Sequence, residues 1–118
     1  MSLGNAGIGQ TGHALGQYLS YLTARQEAIA SNIANADTPG FKTRDVEVPV
    51  DFSGAIEEAR DMVVDVPGLT TRNDGNNVSI DREARLLAEN TLKFTLATQL
   101  LRGEIKDIRS AIEEGRAA

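Results

Sequence analysis

SNIANADTPGFKTRD, residues 31–45, changes character midway. It starts at helical spacing, with Ile29, Ile33 and Ala36 four and three apart, then breaks at Pro39-Gly40 before an extended Phe41-Lys42-Thr43. Proline presets φ and glycine takes positive φ without steric cost, so the pair suits the two central positions of a type II turn. Asn35 and Asp37 bond nearby backbone and tolerate left-handed conformations, so they end the helix ahead of that turn. The stretch predicts a helix delivered into a fixed corner. Asn32 sits at a different helical angle from Ile29 and Ile33, where its amide serves either a local cap or a bond to a neighbouring subunit.

Upstream, Leu15, Leu19, Leu22, Gln26, Ile29, Ile33 and Ala36 alternate steps of four and three, the seam of a coiled-coil helix over 15–36. Residues 1–14 hold four glycines and little that packs, which predicts a flexible arm. Downstream, Ile80, Ala84, Leu87, Thr91, Phe94, Thr98, Leu101, Ile105, Ile108 and Ile112 keep the same alternation over 79–115. Ser79 or Asp81 is placed to cap that helix and Gly115 to end it, leaving 116–118 as a tail. Between the helices, 37–78 holds all three prolines and short extended runs, TRDVEVPVDF and DMVVDVP. Pro49 confines the first to an edge, and Asn73-Asp74-Gly75-Asn76-Asn77 reads as a turn cluster.

The predicted fold is mainly α: two long heptad-patterned helices forming a coiled-coil-like core, joined by an irregular arm with short β segments. Leu86, Leu92, Leu96 and Leu100 lie off the second seam, so that helix is apolar over a broad arc and needs more than one neighbour. The missing surface must come from other chains.

Composition narrows the function. A net charge of −5, with nine acids against four bases in residues 37–78, argues against a nucleic-acid surface. Cysteine is absent, which removes disulfides and thiolate metal sites. No run approaches the roughly 20 apolar residues of a membrane span, and no Lys or Arg precedes Arg25, so a cleaved secretory signal is not expected. Gly7-Ile8-Gly9-Gln10-Thr11-Gly12 matches the dinucleotide pattern in letters but follows no strand, so it lacks the βαβ unit that gives the motif its mechanism. Aligning Gly75 with the turn glycine of a calcium loop puts Thr70 and Arg72 at ligand positions, which excludes that site. His13 is the single histidine, and Glu57-Glu58 and Glu113-Glu114 are adjacent pairs that diverge on a helix. No catalytic, cofactor or metal site is expected, and no small-molecule substrate.

ARQEAIASNIANADTPGFKTRDV, residues 24–46, resembles the N-terminal motif of bacterial flagellar rod and hook proteins, through Asn32, Asn35, Thr38, Pro39, Gly40 and Phe41. DGNNVSIDREARLLAENTLKF, residues 74–94, is similar to the entry into the C-terminal helix of the family's proximal rod members. Residues 47–72 carry the resemblance least. The resemblance implies a structural subunit of the rod crossing the periplasm, exported through the flagellar type III apparatus without signal cleavage. It implies as partners other copies of the chain, other proximal rod proteins, the adaptor protein FliE and the export gate. It also places Leu22, Ile29, Ile33, Leu87, Phe94, Leu101, Ile105, Ile108 and Ile112 in an inter-subunit core. Phe52 and Ile56 resemble the Phe-x-x-x-hydrophobic element that engages the export gate. The reading from a different class is a soluble helical adaptor or chaperone that binds one amphipathic partner helix.

Overall fold

The structure, a computed structural model, describes residues 3–47 and 63–117. It is mainly helical: α1, Leu3–Ala34, and α2, Ile80–Ala117, are joined by an arm carrying β1, Arg44–Val46, and β2, Val63–Asp65. The strands pair antiparallel, with Asp45 opposite Val64. The helices form an antiparallel hairpin: Asn32 of α1 bonds Glu83, Leu22 bonds Asn90, and Gly12 lies against Glu104.

The core is small. Leu22 is fully buried, and Tyr21, Ala24 and Ala28 of α1 pack with Val46 of β1 and Ala97 of α2. Small residues at 24, 28 and 97 let the backbones approach, and the two-stranded ribbon closes the side of α1 that α2 leaves open.

Three expectations need correction. Helix α1 starts at Leu3, where glycine content predicted a flexible arm over 1–14. Once a helix exists, each added residue gains a hydrogen bond for the ordering of one backbone unit, and at Gly12 α1 still lies alongside Glu104 of α2. Helix α2 runs through Gly115 to Ala117, because one exposed glycine costs a helix only about 1 kcal/mol relative to alanine. Ser79 caps α2, its Oγ accepting the Arg82 N–H at 3.3 Å. The third concerns the seams. Leu22 and Ile29, expected in an inter-subunit core, are 0% and 1% exposed within the single chain and have nothing left to present to a neighbour.

On α2, the face against α1 carries Glu83, Leu86, Asn90 and Ala97, all buried. At about 100° per residue, the four-three seam is centred some 60–70° round the helix from that face. Leu101 and Ile108 fall nearest the contact and are half-buried, as is Leu87, whereas Phe94, Ile105 and Ile112 stay exposed. On α1 the buried face turns towards the β ribbon, and Ile33 remains exposed. The seam marks an edge that one hairpin does not close.

Two turn glycines meet at the corner. Gly40 has φ +76°, Gly75 has φ +87°, and a Cβ on Gly75 would lie 3.2 Å from the Gly40 Cα. Gly75→Ala is expected to lower stability by at least about 1–2 kcal/mol, from the left-handed backbone and the backbone contact together. Gly103→Ala, in mid-helix with open space around it, is expected to raise stability by up to about 1 kcal/mol. Denaturant midpoints of the helical signal measure both; the same sign for the two would contradict this description.

Candidate functional site

The last turn of a helix leaves carbonyls without intrahelical partners, and a buried end must satisfy them by other means. The turn that follows α1 adds further carbonyls, and partners for these come from the loop ahead of α2. Asn76 Nδ2 donates to Asn35 O at 2.9 Å and Thr38 O at 2.8 Å, and Arg72 donates to Ala36 O. Arg72 also brings a positive charge to the negative end of the α1 dipole. Asn76 Oδ1 accepts from Val78 N–H at 2.8 Å and from the Arg72 guanidinium at 2.6 Å, so one buried amide ties the end of α1 to the entry of α2.

Asn35 and Thr38 finish the helix end locally. Asn35 Nδ2 donates to Ser31 O at 2.8 Å, and Thr38 Oγ1 donates to Asn35 Oδ1 at 3.1 Å. No described residue other than glycine has positive φ, so Asn35 and Asp37 end the helix without the left-handed conformation open to them. Phe41 N–H donates to Thr38 O at 3.2 Å across Pro39-Gly40, the closing bond of the turn. Gly40 N–H then reaches Asp74 O at 2.9 Å, which locks turn to loop.

Asn32 does something different from both roles its position suggested. Its Oδ1 accepts the Arg44 N–H at 3.0 Å and its Nδ2 donates to Arg44 O at 2.8 Å and Glu83 Oε2 at 3.1 Å. The side chain is 1% exposed, so the amide is spent inside the chain and is neither a helix cap nor a bond to a neighbour. It stands in for a strand, taking both backbone groups of Arg44. Asn77 repeats the device one residue earlier: its Oδ1 accepts Thr43 N–H at 2.7 Å and Thr43 Oγ1 at 2.8 Å.

Charge is organised around the same elements. Arg25 of α1 grips Asp45 of β1 at 3.1 and 3.2 Å, Arg82 of α2 reaches Asp45 at 3.3 Å, and Arg82 meets Glu83 at 2.7 Å. Asp45 thus joins both helices to the ribbon. Burial opposes the Arg25 charge, but the bond and charge of Asp45 prevail, so its pKa lies above the ordinary value. Burial pushes the Tyr21 phenol up, with Arg25 acting against the rise and Asp45 adding to it.

Asn32, Asn35, Thr38, Pro39, Gly40 and Phe41 are therefore gathered at one corner, whereas Phe52 and Ile56 lie outside the described residues. Sequence reasoning missed Arg72, Asn76, Asn77, Glu83 and Asp45. An acid at 83, three and seven residues before Leu86 and Asn90 on one helical face, was the available signal. Among the described residues no helix is long and apolar enough to cross a membrane, and no three His, Cys, Asp or Glu side chains group as metal ligands would. What the corner does chemically is hold geometry.

Residues 19–42, the end of α1 and the turn, match the family described as flagella basal body rod protein. Over 82% of its length the chain is 32% identical to the flagellar basal body rod protein FlgB of Yersinia enterocolitica, covering 89% of that protein. It is 34% identical to FlgB of Aeromonas hydrophila, over 80% of this chain and 86% of that one, and 30% identical to FlgB of Escherichia coli K12, over 82% and 88%.

Removing the Asn32 amide strands the Arg44 N–H and C=O and one Glu83 oxygen. Asn32→Ala is expected to cost roughly 2–3 kcal/mol. Asn32→Asp, nearly the same shape, is expected to cost more at neutral pH, because it turns a carboxylate towards Glu83 and Arg44 O. Urea midpoints decide it: an Asp variant as stable as wild type would mean that the donor half of the amide is not used.

Proposed function

This chain belongs to the FlgB family of flagellar basal body rod proteins, and from that premise we propose that it is a self-assembling subunit of the proximal rod. The family is structural, its members are components of the flagellar basal body, and membership implies assembly with other basal-body parts. On this reading the finer partners are further copies of the chain, other proximal rod proteins and the adaptor FliE. Export proceeds through the flagellar type III gate, with Phe52-x-x-x-Ile56 as the engaging element.

The observation that carries the reading is the apolar surface left on α2. Leu92, Leu96 and Leu100 are 62%, 52% and 63% exposed, and Phe94, Ile105 and Ile112 are exposed on the seam edge. A monomer working alone gains nothing from so many large apolar side chains along one helix, and continuous exposed apolar surface marks sites of association. The polar corner supports the same reading. It sets the helices in one register, so every copy presents the same surface.

An adaptor for one amphipathic helix would bury one face and saturate. The apolar residues of α2 occupy two sides instead, which favours a lattice contact on each.

Leu96→Asp and Leu100→Asp are expected to leave the helical signal of the isolated chain unchanged, since both side chains already face water. In an assembled rod each would place a carboxylate in an apolar contact, at a cost of several kcal/mol or an enforced proton. Secretion should survive while rods and motility fail, measured as exported protein beside the number of assembled rods. Motile cells at normal expression of either variant would refute the proposed burial.

A further inference from the structure

Along one side of the hairpin, α1 and α2 part to leave a groove of about 370 Å³ lined by Thr23, Gln26 and Glu27 of α1 and by Asn90, Thr91, Phe94 and Thr95 of α2. Gln26, Thr91 and Phe94 are seam residues, so the groove is where the heptad patterns of the two helices converge on an unfilled position. Asn90 lies in it, 1% exposed. Its Nδ2 donates to Leu22 O at 3.0 Å and Gln26 Oε1 at 2.8 Å, while its Oδ1 is buried without a hydrogen-bond partner among the described residues. A buried acceptor without a donor is costly, so the groove wall holds an unsatisfied polar atom beneath its surface.

The far side of α2 carries the complementary shape. Leu92, Leu96 and Leu100 are spaced by four and form a ridge of the i±4 kind that packs into helix grooves. At about 100° per residue this ridge stands roughly 170° round α2 from the groove lining. Gln99 and Lys93 flank the ridge about 60° to either side, and Lys93 is opposite in sign to Glu27 on the groove rim.

We infer that the groove seats the Leu92-Leu96-Leu100 ridge of a second copy of this chain. Ridge and groove lie on different sides of one subunit, so the contact is heterologous: each copy offers a ridge to one neighbour and a groove to another. Such contacts propagate into rings or open helices and do not stop at a two-fold dimer. The inference rests on the rod reading above and adds to it which surfaces meet.

The chain has no cysteine, so introduced thiols are its only ones. Gly103→Cys continues the ridge in open space, and Thr23→Cys sits on the groove rim. The two variants, carrying different tags, are co-expressed in cells that assemble rods and treated with a short bis-maleimide. Helical content and recovery of each variant in isolated rods are measured alongside. Mixed dimers exceeding either homodimer, and exceeding pairs made with the exposed control Asp37→Cys, several-fold, are expected. Dominant Gly103→Cys homodimers would overturn the inference by showing a two-fold contact. Normal rods without mixed dimers would overturn it and leave the rod reading standing, whereas absence of the chain from rods would overturn both.

Discussion

One buried amide sets the geometry on which the rest depends. Asn32 holds the N–H and C=O of Arg44 as a neighbouring strand would, and its remaining donor reaches Glu83 on α2. Three segments distant in sequence are thereby fixed at one point: the last turn of α1, the first residue of β1 and the first turns of α2. In the low-dielectric interior each bond is stronger than in water and each missing one more costly. The arrangement is specified by polar satisfaction more than by apolar packing. Asn76, Asn77 and Arg72 extend that logic to the carbonyls of the turn that follows α1 and to the loop backbone, so the corner holds where the apolar core is thin.

Fixing the helices there fixes the direction of everything further along them. From Asn32–Glu83 through Leu22–Asn90 to Gly12–Glu104 the hairpin keeps one register. Asn90 adds a second anchor in mid-helix, the kind of buried polar residue that selects register at some cost in stability. With the register set, the apolar residues of α2 divide between a face against α1, a half-open seam edge and an outward leucine ridge. A family of structural rod components has a use for such a division, because a subunit in a lattice needs several interfaces whose relative angles are the same in every copy.

Much of this was legible in the residues. The four-three spacing locates both helices, and Pro39-Gly40 announces the turn, because few other dipeptides meet its backbone angles. Ser79 is a recognisable cap. What could not be read is which face of each helix looks inward. A heptad pattern states that a seam exists without saying whether its own chain covers it, and on α2 the covered face lies to one side of the seam. The start of α1 was missed because glycine lowers local propensity while saying nothing of a neighbouring helix. The partners of Asn32, and those that Asn76 and Arg72 find just past the end of α1, lie 12 to 51 residues away, beyond the reach of a local motif. A cluster rich in asparagine reads as a turn whether its amides face water or a buried helix end.

Hydrogen exchange of the isolated chain at low concentration tests the central claim most directly. At the corner the backbone N–H groups of Thr43, Arg44 and Val78 are held by asparagine side chains, so their protection reports the clamp and no regular ladder. The account predicts that these amides exchange as slowly as the facing turns of α1 and α2 around Leu22–Asn32 and Glu83–Asn90, with protection falling towards both distal ends of the hairpin. Corner amides exchanging at open-chain rates while the distal halves of the helices stay protected would contradict it, and would place the organising contacts of the chain in its apolar seams.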